Sequence, residues 1–258
     1  MLEAGLWAAL GQSALVVGAL LVARFRVLTE PRWLGLVMAF GAGALISAVT
    51  TDLVVPAYHG GGRAATGVGL LVGAVGYYAL TEWLNRRAER EDPEQPVEAA
   101  DDVGPAELPA AADARAARNL TVGMVLDGIP ESVAIGLTLL GTGDVSVALV
   151  GAVFLSNLPE AIGVAAALLA GDVSLGSVLL RFGAIVLVGG VAGAIGYGVL
   201  NESDVDLIAV IQSIAAGAMI VVVVNEMVPI AVRGARRYAG LAAAAGFAVA
   251  AFLATLGS

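Results

Sequence analysis

Apolar residues occupy most of the chain and are grouped into long stretches separated by short polar or glycine-rich runs. Eight of these stretches are candidate helices by apolar length and flanking charge. They cover residues 4–23, 33–57, 65–84, 119–140, 145–170, 175–200, 205–232 and 239–257. A helix of about 20 apolar residues crosses the hydrocarbon core of a bilayer. The pattern therefore predicts an all-α fold, a polytopic membrane bundle of eight transmembrane helices.

The composition agrees with this prediction and narrows the class of protein. Charged residues make up 14% of the 258 residues, whereas soluble proteins carry about 25%. Cysteine is absent, which excludes disulfides and thiolate metal sites. The net charge of −9 argues against nucleic acid as a partner, because nucleic acid requires a basic face. Acid excess without any lysine is typical of a salt-adapted prokaryote of the haloarchaeal kind.

Charge also predicts the topology of a single transmembrane domain, 1–258, in the lipid bilayer. The one long connection, 86–118, is acidic and proline-bearing, and we expect a flexible loop there. Arginines cluster beside the first, third and seventh links, and Arg63 is the one arginine between spans on the other side. Arginine excess marks the cytoplasmic side. We therefore expect a multi-pass protein of the cell membrane with both termini outside and a cytoplasmic loop.

Parts of the chain repeat each other. A shift of 29 residues superimposes Leu, Pro and Glu of 126–131 on the same residues of 155–160. A shift of 174 residues aligns AGALI (42–46) with AGAMI (216–220). Paired segments of opposite direction are typical of transporters built from inverted repeats. We therefore predict inverted repeats in the bundle.

Proline followed at once by glutamate interrupts the fourth and fifth stretches, at Pro130-Glu131 and Pro159-Glu160. A proline inside a helix removes one hydrogen bond and displaces the carbonyl four residues earlier, so helices four and five are predicted to be kinked. In lipid the freed carbonyl must face protein or a wet cavity. A carboxylate at the membrane centre costs about 3 kcal/mol on insertion scales, which indicates a function for each glutamate.

Oxygen-bearing side chains cluster around the two prolines. The candidate metal ligands are Asp127, Glu131, Ser156, Asn157 and Glu160. Residues three or four positions apart share one helix face, so the two carboxylates of the fourth helix repel each other unless a proton or cation binds. We predict a cation site between helices four and five. A purely structural interpretation stays open, in which the prolines kink packed helices and each glutamate is protonated or hydrogen-bonded nearby.

This pattern resembles the ZIP family of divalent-metal transporters, which have eight spans, both termini outside and a long cytoplasmic loop after the third. Members carry His-Asn-x-Pro-Glu-Gly in span four and His-x-x-Pro-Glu or Asn-x-Pro-Glu in span five. The matching segments here are DGIPES (127–132) and SNLPEA (156–161). The family's histidines are replaced by Asp127 and Ser156, and its asparagine by Gly128. The resemblance implies transport of zinc, manganese or iron as substrate, and a homodimer.

The replacement of histidine by oxygen-bearing residues bears on which metal would bind. Carboxylate and amide oxygens suit hard divalent ions such as manganese, whereas imidazole favours zinc. Zinc also accepts carboxylates. We therefore expect a weaker preference for zinc and a stronger one for manganese or ferrous iron.

Arg181 leads to a different hypothesis. It lies about two turns into the sixth helix, where it either extends to the membrane surface or reaches Glu131 or Glu160 as a gate or site neutraliser. In the second case the chain is a ZIP-like protein that has lost metal transport and acts as a membrane scaffold or sensor. Other polar residues either form a cation path or lie near helix ends in contact with water. These are Asp52, Gln212, Asn225 and Glu226.

An enzyme is not expected. The chain has one histidine, His59, and no cysteine, and it lacks a His-Glu-x-x-His motif. No activated nucleophile accompanies the intramembrane carboxylates. Proton-coupled movement of another small cation stays open, because such carboxylates act as proton relays. We expect no prosthetic group.

Overall fold

The chain is helical throughout the part that the structure describes. The computed structural model describes residues 1–25, 30–91, 114–142, 144–200, 203 and 205–256. Within these ranges there is no strand, which confirms the all-α fold class. The α-helices are α1 (Leu2–Gln12), α2 (Ala14–Arg24), α3 (Pro31–Val49), α4 (Val55–Glu91), α5 (Ala114–Thr142), α6 (Val147–Ala170), α7 (Leu175–Leu200), α8 (Val205–Val222), α9 (Val228–Ala235) and α10 (Ala239–Leu256).

Several helical stretches are long and apolar enough to cross a membrane. Among the described residues they are Leu2–Arg24, Pro31–Trp83, Val147–Ala166, Leu175–Leu200 and Val205–Thr255. The α5 helix contains a shorter apolar part, Gly128–Leu140. The fold therefore agrees with a membrane helix bundle, while the count of eight spans and the inverted repeats stay predictions.

Both edges of the predicted loop 86–118 are helical in the structure. The α4 helix continues to Glu91, and α5 begins at Ala114. Arginine, glutamate and alanine are strong helix formers, and a helix continues through them after the apolar pattern has ended. The remainder, 92–113, lies outside the described residues.

Pro130 and Pro159 lie inside α5 and α6, and both helices are continuous across them. The predicted kinks therefore stay predictions. The break inside α4 is instead made by Gly62, at φ 73 and ψ −177. This backbone conformation is essentially restricted to glycine. The chain thus turns within the predicted link between the second and third helices.

Two π-helical turns interrupt otherwise regular helices. Thr50–Val54 joins α3 to α4, and Val223–Met227 joins α8 to α9. In each case the following helix has proline as its second residue, and proline removes a backbone donor from the preceding turn. A shift of 174 moves the first turn to 224–228, one residue from the second. The repeat found in the sequence is therefore matched by a shared local structure.

The outer face of α7 is an apolar stripe. Its large side chains recur four or seven positions apart, which places them on one helix face. They are Leu180, Leu187, Val191, Ile195 and Val199, with exposed fractions between 49% and 75%. Such an exposed apolar surface is unusual on a soluble monomer and suits contact with lipid.

Glycines bring neighbouring helices close to the middle of α5 and α6. A Cβ on Gly136 would lie 2.5 Å from the carbonyl oxygen of Gly193, where α5 packs on α7. A Cβ on Gly41 would lie 2.9 Å from Cα of Ser156, where α3 packs on α6. Small residues allow such close approach of helices in membranes.

We expect Gly62→Ala to lower the free energy of unfolding by about 1–3 kcal/mol, because alanine is strained at the backbone angles of Gly62. Gly67→Ala is the matched control, since neither position has an atom within 4 Å of the added Cβ and only Gly62 has a positive φ. Denaturant unfolding in detergent micelles measures both. Equal stability of the two variants would contradict this account of the turn.

Candidate functional site

Glu131 lies at the centre of a buried polar cluster formed by α1, α5 and α6. Its side chain is 2% exposed and directly follows Pro130. Gln12 Nε2 donates to Glu131 Oε2 at 3.2 Å, and Asn157 Nδ2 donates to the same oxygen at 3.0 Å. Burial of a carboxylate is unfavourable unless donors or a cation compensate for lost hydration. The two amides therefore stabilise Glu131 in this position.

Gln12, which the sequence pattern did not single out, enters the cluster from α1. Its side chain is 1% exposed, and it is the last residue of α1 before the short break that precedes α2. Gln12 Oε1 accepts from Asn157 Nδ2 at 3.3 Å, and Nε2 also donates to the carbonyl of Gly128 at 3.3 Å. The signal in the sequence was an amide in the middle of an apolar stretch, without a neighbouring proline or carboxylate.

Ser156 and Asn157 are both buried in α6, just before Pro159. Ser156 Oγ donates to the Val153 carbonyl at 2.9 Å, and the hydroxyl also interacts with the Glu131 carboxyl. The structure thus brings together three of the predicted residues, Glu131, Ser156 and Asn157. Their juxtaposition depends on the packing of α5 against α6.

Glu160 lies one turn further along α6 and is half-buried. Within the described part of the chain no group donates a hydrogen bond to its carboxyl or pairs with it. Glu226 acts on it electrostatically, and so, less strongly, does Glu131. Three carboxyl groups from different helices therefore repel one another in one region, which a bound cation would relieve.

Glu226 occupies the π-helical turn Val223–Met227 and is half-buried. Tyr77 Oη donates to Glu226 Oε1 at 3.1 Å, which links this turn to α4. Asn225 is exposed, whereas Gln212 is buried in α8. Of these path candidates, the structure brings Glu226 within electrostatic range of the carboxyls of α5 and α6.

Asp52, the remaining path candidate, lies in a separate polar group at the start of α6. Ser146 Oγ donates to Asp52 Oδ2 at 2.5 Å and accepts from the backbone N–H of Leu149 at 3.1 Å. Ser146 is thus the N-cap of α6. Eleven residues of helix separate Ser146 from Asn157, about 16 Å at 1.5 Å per residue. Asp52 is therefore remote from Glu131.

The other two residues that the sequence predicted for this region are Asp127 and Arg181. Asp127 is part of α5, but its side chain lies outside the described residues. Arg181 is half-buried in α7 and forms no ion pair with Glu131 or Glu160, so it does not neutralise them in this structure. Across the described ranges, no group of three or more histidine, aspartate or glutamate side chains is arranged to hold a metal ion.

A buried hydroxyl beside Glu131 has no partner among the described residues. It is Ser132 Oγ, which is fully buried. A Cβ on Gly189 of α7 would lie 2.7 Å from this oxygen and 2.9 Å from Gln12 Cγ. Unpaired buried polar atoms are rare in folded proteins and often mark the place of a water or an ion. The backbone of α7 at Gly189 therefore packs directly against the side chains of Gln12 and Ser132.

Comparison with known proteins does not assign this site. No family model matches the chain, and no curated protein matches it either. The function is therefore argued from the residues of the site and their surroundings.

We expect Gly189→Ala to destabilise the protein by about 1–3 kcal/mol, because the added methyl displaces Gln12 or Ser132. Gly183→Ala in the same helix is the control, since nothing lies within 4 Å of a Cβ there. Thermal unfolding in detergent compares the two variants. If Gly189→Ala is as stable as the control, α7 does not support the site as described.

Proposed function

We propose that the protein is a membrane transporter that moves a divalent metal cation past an oxygen-rich site between α5 and α6. The observation that carries the proposal is Glu160, a half-buried carboxyl without a hydrogen-bond donor among the described residues, beside the carboxyls of Glu131 and Glu226. Such a group inside an apolar bundle is unfavourable unless a cation or proton binds it.

The ligands of this site would be oxygens from both helices. Glu131, Ser156, Asn157 and Glu160 supply carboxylate, hydroxyl and amide oxygen, and Asp127 belongs to the same set by its place in the sequence. Two carboxylates and an amide suit manganese or ferrous iron better than a histidine site would, and zinc is also accepted. The cation is the substrate of the protein, bound transiently, and not a resident cofactor.

The apolar helices support a membrane location for this activity. We propose eight crossings, because Pro31–Trp83 and Val205–Thr255 contain 53 and 51 residues, each more than twice the roughly 20 needed for one crossing. The arginine distribution then places both termini outside. The resemblance to the ZIP family supports the same topology and a homodimer.

The alternative hypothesis, a scaffold or sensor whose site is neutralised by Arg181, requires an ion pair with Glu131 or Glu160. Neither glutamate makes that pair within the described residues. Among the described residues the site has no built-in cation, and our proposal assigns that place to a cation from solution.

Metal uptake into proteoliposomes tests the proposal. We expect the intact protein to take up manganese, iron or zinc, and Glu131→Gln/Glu160→Gln to lower uptake at least about 10-fold, because both anionic ligands are lost. Asp172→Asn is the matched control, since Asp172 is exposed in the turn between α6 and α7.

Two results would contradict the proposal. One is the absence of uptake for every divalent cation by the intact protein. The other is equal uptake by the double variant and by the Asp172→Asn control, which would place the path elsewhere.

A further inference from the structure

The carboxamide of Gln12 fills the space where a side chain on residue 128 would lie. A Cβ built on Gly128 would be 3.1 Å from Gln12 Oε1, 3.2 Å from Nε2 and 3.3 Å from Cδ. In asparagine the amide atoms lie about 2.4 Å from Cβ, so an asparagine here in a rotamer directed at Gln12 would overlap the Gln12 amide. Glycine at 128 and glutamine at 12 are therefore spatially complementary.

The polar atoms of the Gln12 amide contact both helices of the site. Its nitrogen donates to the Gly128 carbonyl and to Glu131 Oε2, and its oxygen accepts from Asn157. An amide nitrogen has two hydrogens, so both are used. Gln12 thus fixes the backbone of α5, a carboxylate of α5 and an amide of α6 relative to one another.

We propose that Gln12 is a positioning residue of the cation site, supplying from α1 the amide that residue 128 of α5 lacks. The contacts of the Gln12 amide with the Gly128 carbonyl, Glu131 and Asn157 carry this proposal. The part of this inference that concerns metal rests on the proposed function. The part that concerns the packing of residues 12 and 128 does not.

The arrangement also indicates how the amides respond to a cation. Gln12 and Asn157 both direct N–H groups to one oxygen, Glu131 Oε2. Amide nitrogens bearing hydrogen do not ligate a cation, whereas amide oxygens do. A cation that binds Glu131 through Oε2 must compete with these donors, whereas one that binds through Oε1 leaves them in place. In either case Gln12 helps to set the orientation of the carboxylate.

A double-mutant cycle on residues 12 and 128 tests the inference without metal. Gln12→Ala lowers the unfolding temperature because it removes the amide from Glu131. Gly128→Asn alone lowers it because the new amide collides with Gln12. The double variant Gln12→Ala/Gly128→Asn unfolds at a higher temperature than either single variant, because the second amide occupies the space left by the first. Additive losses would overturn the inference.

Gly183→Asn controls for the introduction of asparagine into a helix. Nothing lies within 4 Å of a Cβ at residue 183, so we expect its effect to be the same in the native chain and in the Gln12→Ala variant. Dependence of this control on the side chain at position 12 would show that the cycle reports general destabilisation and would also overturn the inference.

Measurement of cation uptake by Gln12 variants distinguishes a role of Gln12 in positioning the site from a role in packing alone. Gln12→Met retains most of the side-chain volume and lacks the amide, and we expect it to raise the KM for cation uptake about 10- to 100-fold. We expect the KM of Gln12→Ala/Gly128→Asn to be close to that of the intact protein, because the amide at residue 128 replaces the one lost at residue 12. An unchanged KM in Gln12→Met overturns the positioning role.

The two readouts distinguish failure of this inference from failure of the proposed function. If the intact protein takes up no divalent cation, the proposed function fails and the thermal cycle still tests the amide exchange. If uptake occurs but the cycle is additive, the proposed function stands and the inference is wrong.

Discussion

The arrangement of the bundle centre depends on the burial of one carboxyl group among apolar helices. Glu131 is 2% exposed, so the hydrogen bonds it would make with water must come from the protein. Amides on α1 and α6 supply them, and they reach Glu131 only because α1, α5, α6 and α7 approach closely. Glycines such as Gly136 and Gly189 permit that approach. Close packing at small residues of α5 and α7 thus accompanies the burial of this carboxyl.

Glu131 and Glu160 differ in the hydrogen bonds that the protein offers to their carboxyl groups. Glu131 has amide donors, whereas Glu160 has none among the described residues, and Glu226 acts electrostatically on both. Donors stabilise a carboxylate whether or not a cation is present, whereas an unpaired carboxylate is stabilised only when a cation or a proton binds it. The two glutamates therefore differ in how the protein supports them: amide donors compensate for the burial of Glu131, whereas Glu160 lacks such donors among the described residues.

Much of this could be predicted from the sequence, because polar residues stand out against an apolar background. The Pro-Glu pairs and Asn157 have fixed spacing that predicts a shared helix face, and the structure places Glu131 beside Asn157. Gln12 belongs to no such pattern, since its partners lie 116 to 145 residues away along the chain. The helical edges of segment 86–118 were not predicted, because arginine, glutamate and alanine continue a helix beyond the apolar stretch that was used to find it.

The π-helical turns determine which side of two long helices faces the interior. In a regular α-helix, residues four apart drift by about 40° around the axis, so a row with that spacing soon leaves the core. Two such rows stay buried throughout, and a shift of 174 aligns them. They are Leu45, Val49, Leu53 and Ala57, and Met219, Val223, Met227 and Ala231. Each row passes through a π-helical turn, whose wider winding cancels part of the drift. The additional residue of each π-helical turn thus keeps the row on the buried side of the helix. It also leaves an acidic residue immediately beside each row, Asp52 or Glu226.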